Sequence, residues 1–274
     1  MILWLLYYTC IILIVLGLFA IVFVRYLMLP GFIKTKGPFP CLPKTRWEIQ
    51  KTKIRHVEFI DTHPYDKENR PIIYYLPGLW TCLSLQTPFI QLLVEHGFRV
   101  ICLEYRQHAQ ATRRTRVEDI ETVWQDYIVS KRRIASLRLV TISYGGTLAA
   151  YWLTKYNRHE ELNTRIRQWM CFHPVHNLQD TFRARLSPYH LSDFAPETND
   201  NLLSLLQFLP KDTPLIIVHC EGDPTIGTKD SWSSLSKKSR QIIWLENRSN
   251  LEDMDIHIKS RFEDTDNWIP LLLN

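Results

Sequence analysis

From Ile54 onward, short apolar runs rich in β-branched residues alternate with longer amphipathic segments. The runs are IRHVEFI (54–60), PIIYYL (71–76), FRVICLEY (98–105), LRLVTI (137–142), IRQWMCF (166–172), PLIIVHC (214–220) and QIIWLE (241–246). Several are continuously apolar, as strands covered on both faces should be. Helical patterning between them predicts helices over 87–96, closed by Gly97, and over 117–130, 147–156, 228–237 and 264–273. Strands alternating with helices give an α/β fold with a mostly parallel central sheet flanked by helices.

The N-terminus has a different pattern. Residues 1–24, MILWLLYYTCIILIVLGLFAIVFV, carry no charged side chain. As a helix rising ~1.5 Å per residue they would measure roughly 36 Å, enough for a hydrocarbon core of ~30 Å. No Lys or Arg precedes the run, it exceeds the ~7 to 15 apolar residues of a cleaved signal peptide, and no A-x-A-like cleavage site follows. A single transmembrane anchor is therefore expected. Residues 25–53 follow as a basic stretch punctuated by Pro30, Pro38, Pro40 and Pro43, read as an extended tether. The expected folded domain spans 54–274, with a short cap over about 177–211 between two strands.

Charge sharpens this division. Arg25 to Arg55 holds eight basic residues against Glu48 alone, +7, so the whole-chain +5 leaves −2 on residues 56–274. A nucleic-acid binder needs its basic face on the folded domain, so no nucleic-acid partner is expected. Basic residues beside an apolar span follow the positive-inside rule, which places the domain in the cytosol and makes the lipid bilayer the expected partner. Hydrophobic content of 46% and charged content of 22% fit a globular chain and exclude a disordered or polytopic one. Six cysteines, Cys10, Cys41, Cys82, Cys102, Cys171 and Cys220, include no C-x-x-C pair. Cys102, Cys171 and Cys220 fall within or at the end of apolar runs and read as small core residues, which favours a reducing compartment. Asn247-Arg248-Ser249 forms one glycosylation triplet at the end of the last expected strand. The runs Arg113-Arg114-Thr115-Arg116 and Lys131-Arg132-Arg133 read as solvated helix ends or loops.

The chemistry centres on LRLVTISYGGTLAAYWLTKY. A strand ends at Ile142 and Ser143-Tyr144-Gly145-Gly146 turns directly into an apolar helix, the context of a nucleophile elbow. Such a turn lifts the serine above the sheet and aims the next residue's amide into the same space. Thr141 stands where G-x-S-x-G has its first glycine. This segment, together with YYLPGLW (74–80), EHGFRVICLEYRQH (95–108) and VHCEGDPTIG (218–227) in the same order, resembles the α/β-hydrolase superfamily over about residues 54–274. Departures are Pro77-Gly78 in place of a frequent His-Gly pair, and Gln107 in place of a common glycine.

The resemblance implies a triad in the chain order serine, acid, histidine. Ser143 is the nucleophile, Asp223 the acid at the tip of its strand, and His257 the one histidine downstream of Asp223. Glu221 and Asp180 are reserve acids. The backbone amides of Tyr144 and of either Leu79 or Trp80 would form the oxyanion hole. His173 and His176 bracket Pro174-Val175 after a strand, and their local spacing offers no further metal ligands, so both read as loop or cleft residues. The implied activity is a membrane-anchored serine hydrolase acting on a lipid or other acyl ester, with no metal or organic cofactor. An acyltransferase, thioesterase or peptidase could use the same residues, and a catalytically silent binding protein could keep the same fold. The cap's apolar residues, among them Leu202, Leu206, Phe208 and Leu209, either line an acyl pocket or pack the cap onto the core.

Overall fold

The computed structural model describes residues 7–19, 50–54, 57–63, 70–78, 83–105, 113–130, 136–162, 164–175, 202–210, 212–220, 223, 241–245, 260–262 and 264–274. Eight strands among them form one sheet: β1 (Gln50–Ile54), β2 (Val57–Asp61), β3 (Ile72–Leu76), β4 (Arg99–Glu104), β5 (Leu137–Ile142), β6 (Ile166–Phe172), β7 (Leu215–Cys220) and β8 (Gln241–Leu245). Their spatial order is β1-β2-β4-β3-β5-β6-β7-β8. β1 and β2 form an antiparallel hairpin that joins β4 antiparallel, while β4, β3, β5, β6, β7 and β8 run parallel.

The run expected as one strand over 54–60 is instead the end of β1 and most of β2. Lys51 and Lys53 alternate with Thr52 and Ile54, and a polar edge strand of this kind looks like tether when read alone. The other six expected strands lie where their apolar runs do. Their alternation serves two faces at once. In β3, Ile72, Tyr74 and Leu76 enter one buried cluster, and Ile73 and Tyr75 enter the other. With both faces dry, a central strand such as β3 offers polar residues no face, which is why it reads as an unbroken apolar run.

Helices α2 (Leu83–Glu95), α3 (Arg113–Val123) and α4 (Tyr144–Lys155) cover the sheet, with α3 continuing as a π-helical turn over Trp124–Val129. On one face Val117, Ile120, Trp124, Leu148, Trp152 and Leu153 build the core; on the other Phe89, Ile90, Leu93 and the C-terminal helix's Trp268, Ile269 and Leu272 do so. α2 starts four residues before the expected Thr87, with Pro88 exposed inside it. Gly97 closes it as expected, at φ 86°, a left-handed conformation open to glycine. The C-terminal helix, Thr265–Leu273, matches its expectation, whereas 228–237 lies outside the described residues.

Arg116 corrects the solvated reading of its basic run. It is buried, with its guanidinium 5.8 Å from the Tyr105 ring centroid, because it shares the inward stripe of α3 with Val117, Ile120 and Val123. Arg114 does face solvent and pairs with Glu118 one turn on. A second buried charge ties the sheet edge down: Arg99 on β4 donates from Nε and Nη2 to both carboxylate oxygens of Asp61 on β2, at 2.9 and 2.6 Å, and the Tyr127 hydroxyl also donates to Asp61. Cys102, Cys171 and Cys220 are buried free thiols, as their positions implied.

Residues 7–19, here α1, are helical and fully lined with exposed side chains. Thirteen residues rise about 20 Å at ~1.5 Å each, and no helix among the described residues is long and apolar enough to cross a membrane. The remainder of 1–24 lies outside the described residues. The cap is described only over 202–210, where a short helix, Leu202–Leu206, packs Leu202, Leu206 and Leu209 into the α4-side core while Phe208 is exposed. Of the two roles open to them, these three leucines take the packing one, holding this part of the cap onto the core.

Candidate active site at the C-terminal edge of the sheet

The parallel strands deliver their C-terminal ends to one edge, and the turn from β5 to α4 stands at its centre. Ser143 occupies that turn at φ 54° and ψ −128°. A side chain at such a φ costs about 1 to 3 kcal/mol, and such conformations persist where surrounding structure fixes them. Here the fixing groups are visible. The Ser143 amide donates to the Phe172 carbonyl on β6 at 2.8 Å, and the Ser143 carbonyl accepts from the Gly146 amide at 3.1 Å. Ser143 is partly exposed while its chain neighbours Thr141, Ile142, Tyr144, Gly145 and Gly146 are buried.

Three glycines make the turn sterically feasible. A Cβ on Gly145 would stand 2.4 Å from the Leu76 carbonyl oxygen and 2.7 Å from that of Pro77, so the start of α4 lies against the end of β3. One on Gly146 would stand 2.5 Å from the Cys171 Sγ and 3.6 Å from the Thr141 Oγ1. One on Gly78 would meet the Ser143 Cβ at 3.0 Å and lie 3.5 Å from its Oγ. The room that Gly146 leaves is thus taken by the Cys171 thiol, while Thr141, which stands where a glycine is usual, is fully buried beside it. Its hydroxyl also accepts a hydrogen bond from the Trp169 indole N–H at 2.9 Å.

Tyr144 is the first residue of α4, where backbone amides have no carbonyl of the preceding turn to bond and the helix dipole favours negative charge. Gly78 brings the chain leaving β3 against the same serine. The expected second oxyanion amide, on Leu79 or Trp80, lies one or two residues further on, outside the described residues. So does His257, together with Glu221, Asp180 and His176.

Asp223 follows β7 and is buried, its amide donating to the Cys220 carbonyl at 3.3 Å. One of its neighbours among the described residues was not anticipated. His173, directly after β6, sits at φ 45° and fully buried, with Nδ1 3.6 Å from the Asp223 Oδ2. His219 on β7 joins them, its ring centroid 5.7 Å from that of His173, and the donor atoms of all three residues lie within 4.8 Å of one another. The reading of His173 as a histidine without further ligands nearby is thus corrected. The additional groups come from the neighbouring strand, invisible to spacing along the chain. The sequence did hold one clue, a histidine inside the otherwise apolar PLIIVHC.

Residues 71–168 match the family model of the α/β-hydrolase fold. The chain has the α/β-hydrolase fold. Among solved structures, an esterase of Pyrococcus furiosus superposes with a TM-score of 0.61 at 11% identity, over 83% of this chain and 90% of that one. A soluble variant of the monoglyceride lipase of Saccharomyces cerevisiae reaches 0.58 at 13%, over 86% and 98%. The thioesterase domain of the curacin biosynthetic pathway reaches 0.54 at 11%, over 84% and 100%. No curated protein sequence matches the chain. Likeness at this identity carries the α/β-hydrolase fold and leaves chemistry to the residues themselves.

Proposed function

We propose that this chain is a membrane-anchored serine hydrolase that cleaves a lipid or other carboxylic ester through an acyl-enzyme. The observation that carries the reading is the Ser143 turn: a partly exposed serine held at φ 54° between β5 and α4, with Gly78 packed against its Oγ side. A fold that needed only a connection there would have no use for a strained serine. Esterase and lipase chemistry among structures of the same fold agrees with it.

In the proposed reaction the Ser143 Oγ attacks the acyl carbonyl while the His257 imidazole takes its proton. The tetrahedral oxyanion is held by the amides of Tyr144 and of Leu79 or Trp80. His257 then returns the proton to the departing alkoxide, and water repeats the sequence to release the acid. Asp223 orients the imidazole and stabilises its cationic form. Asp223 follows β7, two strands from Ser143 on β5, a separation of roughly 10 Å at ~4.8 Å per strand that leaves room for one imidazole between them. The 3.6 Å approach of His173 to that carboxylate favours a second reading, in which His173 is the imidazole partner of Asp223.

The anchor is part of the proposal. The uncharged run over 1–24, the exposed apolar helix over 7–19 and the +7 of the following stretch support attachment to a bilayer with the domain on the cytosolic side. Phe208, exposed beside the core-packed Leu209, adds apolar surface on the cap side.

The test treats detergent-solubilised protein with a fluorophosphonate probe beside Ser143→Ala. Labelling of the wild type alone supports the reading, and equal labelling of both, or of neither, leaves a silent binding fold. His257→Ala and His173→Gln then decide between the two imidazoles by which one abolishes esterase turnover.

A further inference from the structure

Two imidazoles and one carboxylate gather at the ends of β6 and β7, more titratable groups than one triad acid requires. We propose that His173, His219 and Asp223 bind a zinc-class divalent ion, and that the bound ion silences the enzyme by occupying the carboxylate its triad uses. The second half rests on the serine-hydrolase reading; the first does not.

The donor chemistry selects the ion. Neutral imidazole nitrogen and carboxylate oxygen suit zinc and its first-row neighbours, while calcium and magnesium prefer sites built wholly of oxygen. Zinc bonds these donors at about 2.0 to 2.2 Å, so ligand atoms of a tetrahedral site stand about 3.4 Å apart. His173 Nδ1 and Asp223 Oδ2, at 3.6 Å, already have that spacing. With all three donor atoms within 4.8 Å of one another, closing the third ligand needs a movement on the order of 1 Å, within reach of side-chain rotation.

The backbones are set in advance. The His173 amide bonds the Val218 carbonyl at 2.8 Å, which couples β6 to the strand that carries His219. His219 is itself in the ladder opposite Trp244, with its ring 5.5 Å from the indole. His173 holds a left-handed φ of 45° that a non-glycine residue adopts at a cost of ~1 to 2 kcal/mol. All three residues are buried, so the ion would sit in a low-dielectric site where its attraction to a carboxylate is strong.

Three protein ligands leave a fourth position open, the coordination of a reactive or exchangeable zinc rather than a closed structural one. The consequence here is competition. With an ion on its Oδ2, the Asp223 carboxylate gives up much of its negative charge to the metal and holds the triad imidazole more weakly through the oxygen that remains, so the base loses part of its orientation and of the stabilisation of its cationic form. Loss of that orientation in serine hydrolases costs on the order of 10⁴ in kcat.

The experiment uses the full chain in detergent, stripped of metal. Equilibrium dialysis against zinc should give one ion per chain, with none retained from calcium or magnesium. His219→Ala and Asp223→Asn should each weaken binding at least 100-fold, since even outer-shell substitutions cost ~10 to 100-fold. Should either variant fail to fold, cobalt added to the wild type reports the site directly, by the absorption bands of four-coordinate cobalt with nitrogen and oxygen ligands. Absence of stoichiometric zinc, or equal binding by wild type and variants, overturns the site. Zinc should also slow fluorophosphonate labelling of Ser143 at least tenfold, reversed by a chelator. Stoichiometric zinc with unchanged labelling overturns the inhibitory half. If Ser143 never labels, the hydrolase reading has failed while the zinc stoichiometry still decides the site.

Discussion

Gly78 lies directly against Ser143, so close that a methyl group added to Gly78 would stand 3.0 Å from the serine Cβ and 3.5 Å from its Oγ. The same methyl would be 3.2 Å from the Ile142 carbonyl oxygen, which belongs to the sheet and does not move freely. The strain of Gly78→Ala must therefore be relieved by the turn after β3 or by the serine rotamer. Either displaces the proposed nucleophile relative to the proposed oxyanion amide on that turn, and loss of one such donor typically costs ~10² to 10³ in kcat. Ester hydrolysis by Gly78→Ala should fall by about that factor with KM little changed. Unchanged turnover would remove the β3 turn from the catalytic machinery.

Thr141 offers a different separation, between stability and reaction. Its hydroxyl accepts the Trp169 indole N–H at 2.9 Å, and both groups are buried. Thr141→Val keeps the shape and removes the acceptor, leaving an unpaired buried donor at a cost of about 1 to 3 kcal/mol. For a domain of this size that is a Tm lower by roughly 2 to 12 °C. Because Thr141 is fully buried and its hydroxyl is engaged by Trp169, the variant should still label with fluorophosphonate if Ser143 is the nucleophile proposed. A Tm equal to wild type would show that the indole finds another partner.

What could be read from the chain divides along the same line. Parallel strands buried on both faces write themselves as largely apolar runs, as β3 to β7 do, while β8, at the sheet edge, is partly exposed. The elbow was legible for a related reason: Ser143, Gly145 and Gly146 are adjacent in sequence and their constraint is local. Groups joined across strands were not. Nothing in the separation of His173 from His219 and Asp223 says that β6 and β7 are neighbours, and only the sheet order makes them a cluster. Arg116 and β1 failed for the opposite reason, since each carries charge. Arg116 is buried through a guanidinium stacked near Tyr105, and β1 is a strand whose lysines lie at the sheet edge.

Gly145→Ala would reverse an ordinary rule. Within a helix, glycine to alanine normally stabilises by ~1 kcal/mol, because glycine is the poorer helix former. At this position the new methyl would meet two backbone oxygens at 2.4 and 2.7 Å, and neither can yield without moving β3 away from α4. Overpacking of a rigid site costs about 1 to 3 kcal/mol or more, so the net change is destabilising. Denaturant unfolding should show a lower midpoint with an unchanged slope. A midpoint at or above wild type would mean that β3 and α4 are not in this contact. Gly17, whose added Cβ would meet nothing within 4 Å, is the control on which the same change should not destabilise.

Cys171 makes the pH dependence of stability testable. Burial pushes its thiol up to about 12, with the Thr141 hydroxyl pulling weakly the other way. An unfolded cysteine titrates near ~8.5, so the folded state is the one that resists losing the proton. A raised folded value contributes stability that is complete below about 8.5 and is lost as pH climbs towards about 12, because the unfolded chain releases its proton first. Wild type should therefore lose more unfolding free energy than Cys171→Ala between about pH 7.5 and pH 9.5, measured by denaturant titration at each pH. The native thiol should also resist alkylation at the higher pH and react once the chain is unfolded. Equal losses by the two proteins across that interval would show that the Cys171 thiol reaches water in the native state.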